Sequence, residues 1–201
     1  MGFQRLEFTR PARVPAMFHE AYTLATLAEP PELLGRKLLP FTLGHADLLQ
    51  VFESPFLVGG SFSHEETIFA LWICTRSRAD ALAQLRSGDC TREMRAWGGE
   101  VVGYDVAEVS RAIDAYISEF MAAPPRWDAK KKDPVRAPWP RQMMAALRLH
   151  FKCSADEAWN TPCHEAFCQI ASVGALHGDE SLMDERAIAL QRIATEAAHG
   201  R

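Results

Sequence analysis

Three times along this chain a capping side chain stands three residues ahead of a glutamate at the head of an apolar run: Ser63 with Glu66, Asp105 with Glu108, and Ser154 with Glu157. In that spacing the first side chain takes an orphan amide proton of the opening turn while the glutamate reaches back to the capping residue's own N–H. Behind the second of these starts, Val106, Val109, Ile113, Tyr116, Ile117 and Phe120 recur with a helical period. A half-buried strand would alternate every second residue instead. The chain is therefore expected to be all-α, with about seven or eight helices.

The remaining punctuation agrees. "FQRLEFT" alternates imperfectly and is expected as a short edge strand; Pro15 opens a first helix whose stripe is Met17, Phe18, Tyr22, Leu24 and Ala25, stopped at Pro30-Pro31. An extended connector runs to Pro40. Thr42 then caps a helix carrying Leu48, Leu49 and Phe52 inward and ending before Pro55; Gly59 and Gly60 mark a loop, and a buried helix covers about His64 to Cys74. Ser77 caps "RADALAQLRSG", which Gly88 ends, after which come a short "TREMRAW" segment and "GGEVVG".

Ala122 to Pro140 holds five prolines and the run Lys130 to Lys132 without any apolar period, which marks a linker between residues 1–121 and 141–201. Pro140 opens a helix through "RQMMAALRLHF". Ser154 frames the short helix "ADEAW", Thr161-Pro162 opens a longer one to about His177, and Ser181 caps a last one to Ala198.

Composition narrows the function. A chain of 201 residues buries roughly 70% of its unfolded surface and needs no staple. The net charge of −4 argues against a broad nucleic-acid interface. Five cysteines at irregular spacing, behind a start that lacks a signal-like apolar core, predict reduced thiols in a cytoplasm. The longest apolar run, Ile68 to Cys74, is far short of the roughly 20 residues a membrane helix requires.

The stretch "KCSADEAWNTPCHEAFCQIA", Lys152 to Ala171, admits three readings. As a metal site it would use His150, Cys163, His164 and Cys168, with Cys153 as a further donor. Zinc ligands usually come in close pairs, and Cys163 and Cys168, five apart, point about 140° apart around a helix; only His164 and Cys168 share a face. As a thiol centre it would rely on Cys163 in the first turn of a helix, where the dipole favours a thiolate, yet no base stands beside it. A packed thiol is the commoner fate of cysteine, and His164 and His177 are expected to face solvent or bond to backbone. As a helix-turn-helix corner, Ser154 caps, Glu157 returns the bond, Trp159 anchors, and Thr161-Pro162 restarts the chain at a new angle.

"W-N-T-P-x-x-E", Trp159 to Glu165, behind the "CSADEA" cap, resembles the corner of small helical phage tail assembly chaperones. "LLPFTLGHADLLQ", Leu38 to Gln50, is similar to a helix start seen in proteins encoded just before the tape measure protein of tailed phages. The resemblance covers two short patches, and Cys163 and His164 depart from it. It implies a cytoplasmic, non-enzymatic protein without a cofactor, which binds the apolar tape measure protein and keeps it soluble until the tail tube forms. On that basis Ser154, Glu157, Thr161, Pro162 and Glu165 form a structural corner. Met143, Met144, Leu147, Phe151 and Trp159 offer an adaptable apolar face for a helix.

Two alternatives stand beside it: a metal- or thiol-dependent enzyme at the cysteine-rich corner, and a structural or adaptor protein of the virion. The cationic linker, with Trp127 and Trp139 at its ends, has the residue types that grip single strands but reads first as a solvated connector. "WGGEVVG" lacks the Lys-Ser/Thr of a phosphate loop. His64, Glu65 and Glu66 are adjacent on a helix and do not converge, so capping accounts for them.

Overall fold

The computed structural model describes residues 29–101, 103–124 and 137–178. The edge strand and helix expected before Pro30, the helix from Ser181 to Ala198 and most of the linker lie outside the described residues. The fold is all-α, with nine helices and one two-stranded ribbon among those residues.

The ribbon replaces part of the expected connector. Glu32–Leu33 (β1) pairs antiparallel with Arg36–Lys37 (β2). Leu34 and Gly35 both sit at positive φ, 54° and 68°, as a tight two-residue hairpin turn demands. The chain then runs extended through Leu38 and Phe41, both fully buried, to the first helix among the described residues.

That helix, α1 (Leu43–Val51), is the hub of the molecule. Thr42 caps it: its Oγ1 accepts from the His45 N–H at 3.3 Å, and the Thr42 N–H donates to His45 Nδ1 at 3.1 Å, so a histidine fills the place of the usual glutamate. Leu43 through Leu49 are all buried, the all-round burial of a central helix. Phe52, expected inward, is instead half exposed. The short α2 (Pro55–Val58) follows at once, where only a stop was expected.

Helix α3 (His64–Cys74) begins with the expected capping box, Glu66 N–H to Ser63 Oγ at 3.1 Å and Ser63 N–H to Glu66 Oε2 at 2.8 Å. Ser77 caps α4 (Arg78–Ser87), and Gly88 ends it in the left-handed region. "TREMRAW" and "GGEVVG" then form one continuous helix, α5 (Cys90–Val101), rather than a short segment and a glycine stretch. Gly98 is the reason glycine suits that helix: a Cβ there would lie 3.2 Å from Ile68 Cδ1 on α3, so the two helices touch closely at this point.

Asp105 caps α6 (Val106–Phe120), but its carboxylate accepts from Ala107, so the expected reciprocal box with Glu108 does not form. After the linker come α7 (Trp139–Phe151), α8 (Ala155–Asn160) and α9 (Cys163–Leu176). Helix α1 packs against α2, α3, α4, α7 and α8. One core runs from Leu33, Leu49 and Trp72 through Ile113 and Phe120 to Leu147, Ala158 and Ala166, so residues on both sides of the linker share it.

Candidate functional site

The two sequence patches singled out above, 118 residues apart from Thr42 to Asn160, meet in space. Leu43 N–H donates to Thr161 O at 3.0 Å and Cys163 N–H to Phe41 O at 2.9 Å, and this reciprocal pair makes an isolated antiparallel bridge between Thr42 and Pro162. Each partner is the junction between an extended residue and a helix. The bridge thus ties the first turn of α1 to the first turn of α9 and satisfies amides that helix starts leave orphaned.

The corner has the expected local form. Ser154 and Glu157 exchange hydrogen bonds, Glu157 N–H to Ser154 Oγ at 3.1 Å and Ser154 N–H to Glu157 Oε2 at 2.8 Å. These bonds, made to the charged form, hold the Glu157 carboxyl below its ordinary range. Thr161 is extended, φ −69° and ψ 127°, because the ring of Pro162 disfavours helical geometry in the residue before it. Its hydroxyl donates back to Glu157 O at 3.0 Å. On α9, Glu165 accepts from Gln169 at 2.9 Å, a contact one turn apart along the same helix face.

Trp159 connects this corner to α1 through charge. Its ring lies under the Arg78 guanidinium, 4.3 Å from ring centroid to Cζ. Arg78 in turn donates to Asp47 Oδ2 at 2.9 Å, and Arg141 donates to Asp47 Oδ1 at 2.9 Å. Asp47 is a buried carboxylate on the hub helix, with one cation from the start of α4 and another from the start of α7. Buried charge survives only when paired in this way. Gly44 permits the approach: a Cβ at that position would stand 2.7 Å from Arg78 Cβ and 3.0 Å from the Trp159 carbonyl oxygen.

His45 lies beneath this network. It is fully buried, with Nδ1 taken by the Thr42 amide and Nε2 2.8 Å from Arg76 O. Burial lowers its pKa to about 4, against a smaller opposing effect from its backbone bonds. Beside it, the Tyr116 hydroxyl donates to Leu39 O at 2.6 Å, while Leu39 N–H donates to Cys74 O at 2.8 Å.

The metal and thiol readings fare differently. Cys163, His164 and Cys168 are all buried, whereas His150 is exposed at the end of α7, its ring 6.3 Å from that of His177. Among the described residues no three His, Cys, Asp or Glu side chains are placed to hold a metal ion. Of the two fates expected for His164, solvent or a backbone bond, the structure has the second: its Nδ1 accepts from the Glu165 N–H while its buried ring packs on Phe120 at 4.6 Å. Burial pushes the Cys163 thiol far up and Cys168 to about 11, the reverse of what a helix-start thiolate requires. His64, Glu65 and Glu66 belong to the start of α3, with Glu66 engaged in its cap.

The apolar residues of α7 divide. Leu147 is 1% exposed and belongs to the core, Met143 and Met144 are half-buried against it, and Phe151 is exposed, as is Leu149 beside it, which the sequence reading passed over. Trp139 packs on Phe167 of α9. Sequence reasoning also missed Asp47, Arg78 and His45. The signal for the first two was a charged residue inside an otherwise apolar helix and an arginine in the first turn of another, 31 positions later. Comparison with protein-family models, with curated proteins and with solved structures yielded no match.

Proposed function

We propose that this chain is a non-enzymatic holding protein, a phage or prophage tail assembly chaperone that binds the tape measure protein in the host cytoplasm until the tail tube assembles around it. One observation carries the reading: the two short patches that resemble such proteins are the two halves of a single packed unit. Leu38 to Gln50 and Trp159 to Glu165 are joined by the Thr42–Pro162 bridge and by the Asp47–Arg78–Trp159 chain of contacts.

The chemistry of the corner supports binding over catalysis. Ser154 and Glu157 are spent on a cap, and the thiols of Cys163 and Cys168 are buried and held protonated. Phe151 at the end of α7 is exposed, with Met143 and Met144 half-buried on the same helix, and flexible apolar side chains of this kind suit contact with a partner helix.

The test is co-expression with any large tape measure protein encoded beside this chain. The proposal expects a soluble complex, and expects Trp159→Ala to reduce it while the variant still folds. A tape measure protein that stays insoluble beside well-folded chain would end the chaperone reading, and one zinc per purified molecule would reopen His150, Cys163, His164 and Cys168 as a metal centre.

A further inference from the structure

Away from the corner, the end of α1, the end of α2 and the loop after it expose four large apolar side chains among the described residues. Val51 is 55% exposed, Phe52 50%, Val58 58% and Phe62 37%. They are held as a surface: Phe52 packs edge-on against Phe69 of α3 at 4.9 Å, and Phe62 stacks on Phe56 of α2 at 4.4 Å. Four large apolar side chains within twelve residues are more than the scattered exposure usual on a protein surface.

Along the segment that carries these side chains the charge is one-sided. Between Lys37 and Arg76 the sequence has no lysine or arginine. Glu53 adjoins Phe52, and Glu65 lies one helical turn before Phe69, on the face of α3 that touches Phe52. Both carboxylates are exposed. Just beneath, Gln50 Oε1 and Ser54 Oγ are buried without hydrogen-bond partners among the described residues. Buried oxygens left unpaired carry a penalty that a rearrangement giving them donors would relieve.

We infer that Val51, Phe52, Val58 and Phe62 form a docking surface for an amphipathic helix of a partner protein, one whose apolar stripe is edged by lysine or arginine. The choice of a helical partner rests on the chaperone reading; the cationic edge rests on Glu53 and Glu65. The apolar stripe would cover the aromatic patch, and the basic edges would face the two carboxylates, setting register and speeding encounter.

The test uses the full chain and two labelled 20-residue peptides with the same leucine stripe, one edged with lysine and one with glutamate, titrated by fluorescence anisotropy. The expected result is at least tenfold tighter binding of the lysine peptide. Phe52→Glu and Val58→Glu should each weaken that binding at least tenfold with the unfolding midpoint unchanged, and Glu53→Lys with Glu65→Lys should reverse the preference. Val58, more exposed than Phe52, guards against a folding defect in the first variant.

Equal affinity for both peptides, or lysine-peptide binding untouched by Phe52→Glu and Val58→Glu, would overturn the inference. So would a wild-type dimer in sedimentation that Phe52→Glu dissociates, or faster hydrogen exchange confined to residues 1–28 in that variant; these would assign the patch to a second copy or to the chain's own amino-terminal segment. If co-expression holds the tape measure protein while the peptides ignore the patch, the chaperone reading survives and this surface does not. Patch-dependent peptide binding without a held tape measure protein gives the converse.

Discussion

Replacing Gly44 by alanine adds a single methyl group where α1 packs against Arg78 and the Trp159 backbone. That Cβ would fall 2.7 Å from Arg78 Cβ and 3.0 Å from both Arg78 Cδ and the Trp159 carbonyl oxygen. Unstrained carbon contacts lie at about 3.5–4.0 Å. The far end of Arg78 can swing aside, but its Cβ and the Trp159 backbone cannot move without shifting α4 or α8. Overpacking of this kind costs about 1–3 kcal/mol, towards the upper end here because two of the three neighbours are fixed. Alanine recovers up to about 1 kcal/mol through its better helix propensity in the first turn of α1. The net expectation is a loss of about 1–2 kcal/mol, read as a lower urea midpoint at constant m-value. A midpoint equal to or above wild type would refute the close packing of α1 against Arg78 and Trp159.

Further expectations follow from the same region. His45 binds its proton only near pH 4 in the folded chain, against 6.5 for an ordinary histidine, chiefly because burial disfavours the cation. The unfolded state then holds more protons below pH 6.5, so stability is fully present above that value and falls by about 2 kcal/mol between pH 6.5 and 4.5; a flat urea midpoint across that window would contradict the buried neutral ring. Ser154→Ala removes the Oγ that accepts the Glu157 amide and is expected to cost about 1 kcal/mol in thermal or urea unfolding. A thiol reagent added to the folded chain should label Cys153 first, since Cys74, Cys90, Cys163 and Cys168 are buried; rapid labelling of Cys163 followed by mass spectrometry would restore the thiol-centre reading.

Local signals were legible wherever the physics was local. The caps at Thr42, Ser63, Ser77 and Ser154 each depend on residues within three positions, and each formed. Helix α5 was hidden because Gly98 and Gly99 weigh against a helix in isolation, whereas the close contact with Ile68 of α3 is what calls for a small residue there. The hairpin at Leu34-Gly35 was hidden because leucine rarely takes a positive φ. At the corner, Trp159 was visible as an anchor, but its support comes from Arg78 and Asp47, 81 and 112 positions earlier. No spacing rule links such residues. Asp105 shows the opposite lesson, since a correct capping spacing did not close the reciprocal box.

The same distance explains the fate of the cysteines. Helical spacing separated Cys163 from Cys168, and both are buried. Spacing alone gave no hint that Phe41 would take the Cys163 amide, which turns the start of α9 into a joint with α1.

The most direct measurement follows, by light scattering, the aggregation of any tape measure protein encoded beside this chain on dilution from denaturant, with and without the chain. The account predicts suppression that saturates at a fixed ratio of chain to tape measure protein and is weakened by Trp159→Ala in a folded variant. Scattering unchanged by any excess of folded chain would contradict it.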